Sequence, residues 1–309
     1  MRLALLLLMG AAVASAQNKM GLWSPLYYKL NPSRDDEYAK FIDSVSSNKC
    51  LARSFQGAIL TGPTSRPPPL KNVLSPGQDA RSDEYQRRFD YLYKAGDWQP
   101  FGYIYTDYGR RPLDAVLEDV DRWCDAINGY RRSVRGVFID QVAEDLTCAP
   151  KDKVCLKDYY QKVVDAIRSK CSVLGVGDAM IMLNPGRSFN ECKFMADNKI
   201  GFVNGWEDTY DTYQKFSAAK MIDCPCKDKG VRCVASIHSV PEDISQKQVE
   251  AVMTDMAANG FSAIFLTENK RPKQYETVPK IWPLTAQAAC NVDAYVPKKR
   301  HMTRRLMKA

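Results

Sequence analysis

Along this chain, short apolar runs rich in β-branched and aromatic residues alternate with longer stretches whose apolar positions recur every three or four residues. The first pattern reads as buried strand and the second as amphipathic helix. Strands are predicted at residues 22–28, 56–60, 101–105, 134–141, 179–183, 201–206, 233–237 and 263–266. Helical spacing falls between them, at 34–45, 83–95, 113–127, 159–171, 209–219 and 246–257. Pro112 suits the first turn of the third of these helices, whose Val116, Leu117, Val120 and Trp123 share a face. After residue 60, Thr61-Gly62-Pro63 and the prolines through Pro69 break the pattern into a loop. Alternating strands and helices imply parallel strands joined by crossovers, and eight of them predict an α/β fold, a single (β/α)8 TIM-like barrel. A doubly wound open sheet is the competing fold, but the first strand lacks the Gly-rich turn that a dinucleotide site requires.

The N-terminus changes how the rest is read. Met1-Arg2, an apolar block to Val13 and the small residues Ala14-Ser15-Ala16 form the pattern of a secretory signal peptide, so residues 1–16 are expected to be removed. The barrel domain is then expected over 17–290, with a basic, disordered tail at 291–309. No later segment has the ~20 consecutive apolar residues of a membrane span, and the expected product is secreted and extracellular. Ten cysteines lie beyond the signal, and in an oxidising compartment they predict disulfides. Cys148 with Cys155, and Cys233 with Cys224 or Cys226, are the local pairings expected. The Cys224, Cys226 and Cys233 group resembles a zinc site but lacks a fourth ligand.

Charge adds less than its total suggests. The formal net charge is +8, but Arg2 and the cations Lys298, Lys299, Arg300, Arg304, Arg305 and Lys308 nearly account for it, so the body of the chain is close to neutral. The tail offers contact with an anionic surface, and no basic helix with interleaved aromatics points to nucleic acid.

The chemistry is sought where the strands end, because β/α barrels build their sites at the C-terminal mouth. Those ends are polar: Thr106 and Tyr108, Asp140, Asn184, Glu207, His238 and Thr267. Asp140 and Glu207 are the candidate catalytic carboxylates, a pair suited to acid/base or glycosidase chemistry. Strand alternation places Asp140 with Gly136 and Phe138 towards the lumen, whereas Gln141 should face the helices unless the strand has ended. Tyr27, Tyr105, Tyr108, Trp206 and Tyr210 are aromatic candidates for stacking on sugars, with core packing the alternative. The two histidines, His238 and the tail's His301, exclude a multi-histidine metal site; His238 is expected to hydrogen-bond in the pocket, and neither metal nor cofactor is expected. There is no Gly-x-Ser-x-Gly elbow for a serine nucleophile and no Asn-x-Ser/Thr acceptor for glycans.

The motifs Pro25-Leu26-Tyr27-Tyr28, Gly102 to Pro112 with its Tyr-x-Thr-x-Tyr-Gly-x-Arg core, Gly136 to Asp140, Asn184-Pro185-Gly186, Glu207 with Tyr210, and Thr267 followed by Tyr275 and Pro279 resemble the spherulin-4-like family. The likeness runs over about residues 20 to 283 with the motifs in order. It implies a secreted barrel of glycoside hydrolase family 135, cutting α-1,4-linked N-acetylgalactosamine stretches of galactosaminogalactan internally. Asp140 matches the family's Asp after the fourth strand and Glu207 its Glu after the sixth. Tyr27, Thr106, Tyr108, Arg111, Gln141, Asn184, His238 and Thr267 would position the sugar. Gln141 stands where the family has Glu; it cannot exchange a proton, which opens the alternative of an impaired barrel that binds glycans without cutting them.

Overall fold

The computed structural model describes residues 19–26, 41–45, 47–51, 56–60, 92, 98–124, 134–146, 155–171, 178–186, 189, 191–275 and 277–295. Eight strands, β1 (Gly21–Leu26), β2 (Gln56–Leu60), β3 (Gln99–Tyr105), β4 (Gly136–Asp140), β5 (Met180–Asn184), β6 (Phe202–Thr209), β7 (Arg232–His238) and β8 (Phe261–Leu266), close into one barrel in sequence order. Every pairing around it is parallel. The crossovers carry α1 (Leu113–Cys124), α2 (Leu156–Cys171), α3 (Cys192–Asp197), α4 (Tyr210–Ala218) and α5 (Gln246–Ala258), and α6 (Trp282–Asn291) follows β8. The (β/α)8 architecture is therefore the one the alternating pattern implies.

Inside the barrel, alternation along the strands brings large rings together. Trp23 meets Phe138 at 6.2 Å and Phe265 at 6.5 Å between ring centres, and Tyr103 stacks on Phe138 at 6.0 Å. These rings fill the lumen below the mouth, so the barrel is a packed core and not a channel. Outside, Gly102 lets α1 approach β3, since a Cβ there would lie 2.5 Å from the Trp123 ring. Trp123 uses that proximity to donate its indole N–H to the Tyr103 carbonyl at 2.9 Å.

Two differences from the sequence expectation stand out. First, β6 runs to Thr209, so Glu207 lies within the strand and not after it; the strand stays paired with β7 to its end across a register slip between Asn204 and Trp206. Second, α6 was not anticipated, because Trp282-Pro283-Leu284-Thr285-Ala286 is rich in small residues and only weakly two-faced. Its Trp282 stacks on Phe41 with ring centres 4.2 Å apart and donates to Ser44 Oγ at 2.9 Å. The expected helices at 34–45 and 83–95 lie largely outside the described residues, as do Tyr27 and the Pro-rich loop.

Disulfides join Cys50 to Cys290, Cys124 to Cys171, Cys192 to Cys226 and Cys224 to Cys233. The last is one of the two local alternatives anticipated. With Cys224, Cys226 and Cys233 all oxidised, none is a thiolate ligand for zinc. Cys155 is also disulfide-bonded, and its expected partner Cys148 lies outside the described residues. Near the β1–β8 seam, Lys19 pairs with Asp293 as an antiparallel bridge carrying a 2.8 Å ion pair, and Met20 N–H donates to the Val292 carbonyl at 2.8 Å. Among the described residues no helix is long and apolar enough to cross a membrane.

Candidate active site

Neighbouring strand ends bring the polar side chains together. On β4, Phe138 points into the lumen, so Asp140 two residues on points the same way at the mouth. The same alternation on β3 puts Tyr103 beneath it, and the tyrosine hydroxyl donates to Asp140 Oδ2 at 2.7 Å. On β5, Asn184 is the register partner of Asp140. Its amide nitrogen donates to Asp140 Oδ1 at 2.7 Å and to Glu207 Oε2 at 3.0 Å. Gly186 N–H donates to the Asn184 amide oxygen at 3.1 Å, which fixes which end of the amide faces the carboxylates.

Asn204 and Glu207 are three residues apart on one strand, a spacing that ordinary alternation would send to opposite faces. The register slip between Asn204 and Trp206 removes that conflict. Asn204 Nδ2 donates to Glu207 Oε2 and to Asn184 Oδ1, both at 3.0 Å. The other Glu207 oxygen accepts from the hydroxyl of Tyr275 at 2.8 Å, a residue carried in by the segment between β8 and α6.

One nitrogen bonding both carboxylates, at 2.7 and 3.0 Å, holds those two oxygens within about 6 Å of each other. That is near the roughly 5–5.5 Å of glycosidases that form a covalent intermediate, and short of the roughly 6.5–9.5 Å that leaves room for an intervening water. Burial first, and then the charge of Glu207, push Asp140 up to about 6, against the opposing pull of hydrogen bonds from Tyr103, Asn184 and the Gln141 backbone N–H. Burial and the two carboxylates push Tyr103 and Tyr275 well above the usual phenol range, so both stay protonated donors. Among the described residues every donor to the pair is neutral, and no cation offsets the like charges.

The remaining anticipated residues divide. Thr106 is fully buried, and its hydroxyl bonds the Gln141 carbonyl at 2.8 Å and the Tyr160 hydroxyl at 2.9 Å, so it fastens the β3 loop to the end of β4. Arg111 lies against Asp119 at 2.6 Å, donates to the carbonyls of Tyr105 and Ala115, and covers the Tyr105 ring at 4.4 Å. Both hold the loop through these contacts within the protein. Thr267 is buried and accepts from Asn269 N–H at 3.1 Å. Gln141 follows the last residue of β4 with a φ of 53°, so strand alternation does not extend to it. His238 ends β7, with Nδ1 3.0 Å from Ser239 Oγ. Burial and then Arg271 push it down to about 4, which leaves it neutral near neutral pH. Its Nε2 is shut off from solvent and has no hydrogen-bond partner among the described residues. Trp206 packs on Phe216 of α4 and Tyr210 on Tyr213, both as core, whereas Tyr108 is 47% exposed.

Tyr103, Asn204 and Tyr275 complete the cluster and were not singled out as site residues. Asn204 and Tyr103 sit mid-strand, where the sequence offers no sign of their direction. Tyr275 carried a signal, as one of the family-like motif residues.

Comparison with solved structures gives likenesses of fold. Sph3 of Aspergillus clavatus, solved in complex with GalNAc, superposes with a TM-score of 0.67 at 19% identity, covering 89% of this chain and 99% of that one. An endo-beta-1,4-mannanase from Thermotoga petrophila gives 0.52 at 11% identity, over 90% and 76%. The PgaB (BpsB) glycoside hydrolase domain from Bordetella bronchiseptica gives 0.50 at 10% identity, over 90% and 99%. No match was found among curated protein sequences. The model of spherulation-specific family 4 matches residues 25–289, a span that includes Asp140, Asn184, Glu207 and Tyr275, and the chain belongs to that family.

Proposed function

We propose that this chain is a secreted, endo-acting glycoside hydrolase of an amino-sugar polysaccharide rich in α-1,4-linked N-acetylgalactosamine, with Asp140 and Glu207 as its catalytic pair. The observation that carries the reading is the single Asn184 amide bridging the two carboxylates at a barrel mouth. Asp140, raised to about 6, is the member able to hold a proton in mildly acid solution and deliver it to the leaving oxygen. Glu207, steadied by two asparagine amides and a tyrosine hydroxyl, is the anion that faces the sugar carbon or orients an acetamido group attacking it. The complex of Sph3 with GalNAc supports an amino sugar as ligand. Secretion rests on the signal-like residues 1–16 and on the disulfides.

Gln141 favours a second reading, a barrel that binds such glycans without cutting them. Its amide next to Asp140 has no proton to exchange near neutral pH. The test is a screen of the mature protein and of Gln141→Glu for oligosaccharide release from N-acetylated and de-N-acetylated galactosamine polymers. Release by the wild type supports the hydrolase. Binding without release, with turnover gained in Gln141→Glu, supports the binding protein, and neither binding nor release defeats both.

A further inference from the structure

Where the segment after β8 runs into α6, a cavity of about 480 Å³ lies against the chain, within the roughly 300–1,000 Å³ of small-molecule sites. Among the described residues its lining includes no member of the carboxylate cluster. The walls are mainly apolar: Phe41 and Trp282, stacked with ring centres 4.2 Å apart, are joined by Val278, Pro279 and Pro283. Hydrogen bonds fasten this frame. Trp282 donates to Ser44 Oγ at 2.9 Å, Asn269 Nδ2 to Thr277 Oγ1 at 3.0 Å, and Lys280 N–H to Glu268 Oε1 at 2.7 Å, which ties the end of β8 to the segment leading into α6.

Glu268 stands apart from the rest of the lining. Its side chain borders the cavity, the residue is only 7% exposed, and its second oxygen, Oε2, is buried with no hydrogen-bond partner. Among the described residues it forms no ion pair either. Lys280 lines the same cavity, but its ammonium sits on Glu242 at 2.9 Å and that side chain is 73% exposed. A carboxylate oxygen taken out of water without a donor is costly, so a cation that brings N–H groups into the cavity makes a charge-assisted bond the fold leaves unmade. Ring faces and aliphatic walls add a preference for a cation on an apolar body over a polyol.

We propose that this cavity is a ligand site separate from the carboxylate cluster, that it takes a small molecule carrying a primary ammonium group on an apolar body, and that Glu268 receives the ammonium. The site stands whether or not Asp140 and Glu207 cleave glycans. The test is calorimetric titration of the mature wild type, Glu268→Gln and Val278→Phe with benzylamine, benzyl alcohol, benzyltrimethylammonium and galactosamine. Benzylamine should bind wild type roughly tenfold or more tightly than the neutral alcohol, the quaternary cation without N–H groups, or the amino sugar. It should raise Tm by about 5 °C at a hundredfold excess over its Kd. Glu268→Gln should weaken benzylamine roughly tenfold or more yet melt no lower than wild type, because it removes a buried charge that has no partner. Val278→Phe, which narrows the cavity without touching the carboxylate, should also weaken it. No binding of benzylamine, equal or tighter binding of any of the other three ligands, or undiminished binding by either variant would overturn the site. A lowered Tm in Glu268→Gln would overturn it as well, by showing that the carboxylate already has a partner within the fold.

Discussion

Two polar clusters, one buried beneath the β3 loop and one part-buried at the strand ends, are built on opposite electrostatic plans. Beneath the β3 loop, Arg111 and Asp119 meet as opposite charges at 2.6 Å, with exposures of 8% and 0%, and the guanidinium also donates to two carbonyls. Across the lumen, Asp140 and Glu207 share one amide as like charges held only by neutral donors. The first arrangement sets opposite charges against each other, and the second sets like charges. The first fixes a loop; the second keeps a carboxylic acid poised near pH 6. Both clusters are hydrogen-bonded, so it is the sign of the neighbouring charge that distinguishes the loop anchor from the proposed reactive centre.

The sharpest way to break this contrast is to neutralise one member of each cluster. Asp140→Asn should abolish turnover, by 1,000-fold or more in kcat/KM, in an assay of polymer cleavage. The same variant should be more stable than wild type at neutral pH. Asp140 has its folded pKa raised from 3.8 to about 6, so between those values the folded state holds a proton that the unfolded chain has lost. Wild-type stability then falls as pH rises through that window and stays lower above it, by about 3 kcal/mol, whereas Asp140→Asn lacks the slope. Denaturant melts at about pH 4 and pH 7 measure it, and parallel curves for the two proteins would refute the like-charge account.

Asp119→Ala should do the reverse. It strands a buried Arg111 and should cost about 3–5 kcal/mol by the same melts, while the protein that remains folded keeps its specific activity. The pH profile comes next in size: cleavage that needs protonated Asp140 should hold below about pH 6 and decline roughly tenfold per unit above it. Smallest is Tyr275→Phe, which deletes one neutral donor to Glu207 and should lower kcat/KM about tenfold with little change in Tm.

Sequence patterning reached Asp140, Asn184 and Glu207 because each interrupts or closes an apolar run, and a polar side chain at a strand's end in a barrel has few places to go but the mouth. It misjudged the company these residues keep. Asn204 joins them through a register slip, which depends on how β6 lies on β7 and leaves no local trace. Tyr103 looks like any strand aromatic, since its ring is core and only its hydroxyl reaches Asp140. Thr106 and Arg111 were expected in the pocket for the opposite reason: a polar residue spent on backbone carbonyls reads the same in sequence as one offered to a ligand. Cysteine spacing narrowed the partner of Cys233 to Cys224 or Cys226, the first of which it meets, but could not foresee Cys50–Cys290, whose partners meet only once the barrel has closed.

That closure also bears on how the chain could be rewired. Lys19 and Asp293 are adjacent, bridged through backbone and side chains, and Cys50 is bonded to Cys290 close by, so the described barrel is nearly a ring of polypeptide. Which strand comes first is then a matter of connectivity more than of packing. A circular permutant joined from 293 to 19 by a short linker and reopened in the exposed turn at Ala219-Lys220-Met221 keeps every strand neighbour, and with them the convergence of Asp140, Asn184 and Glu207.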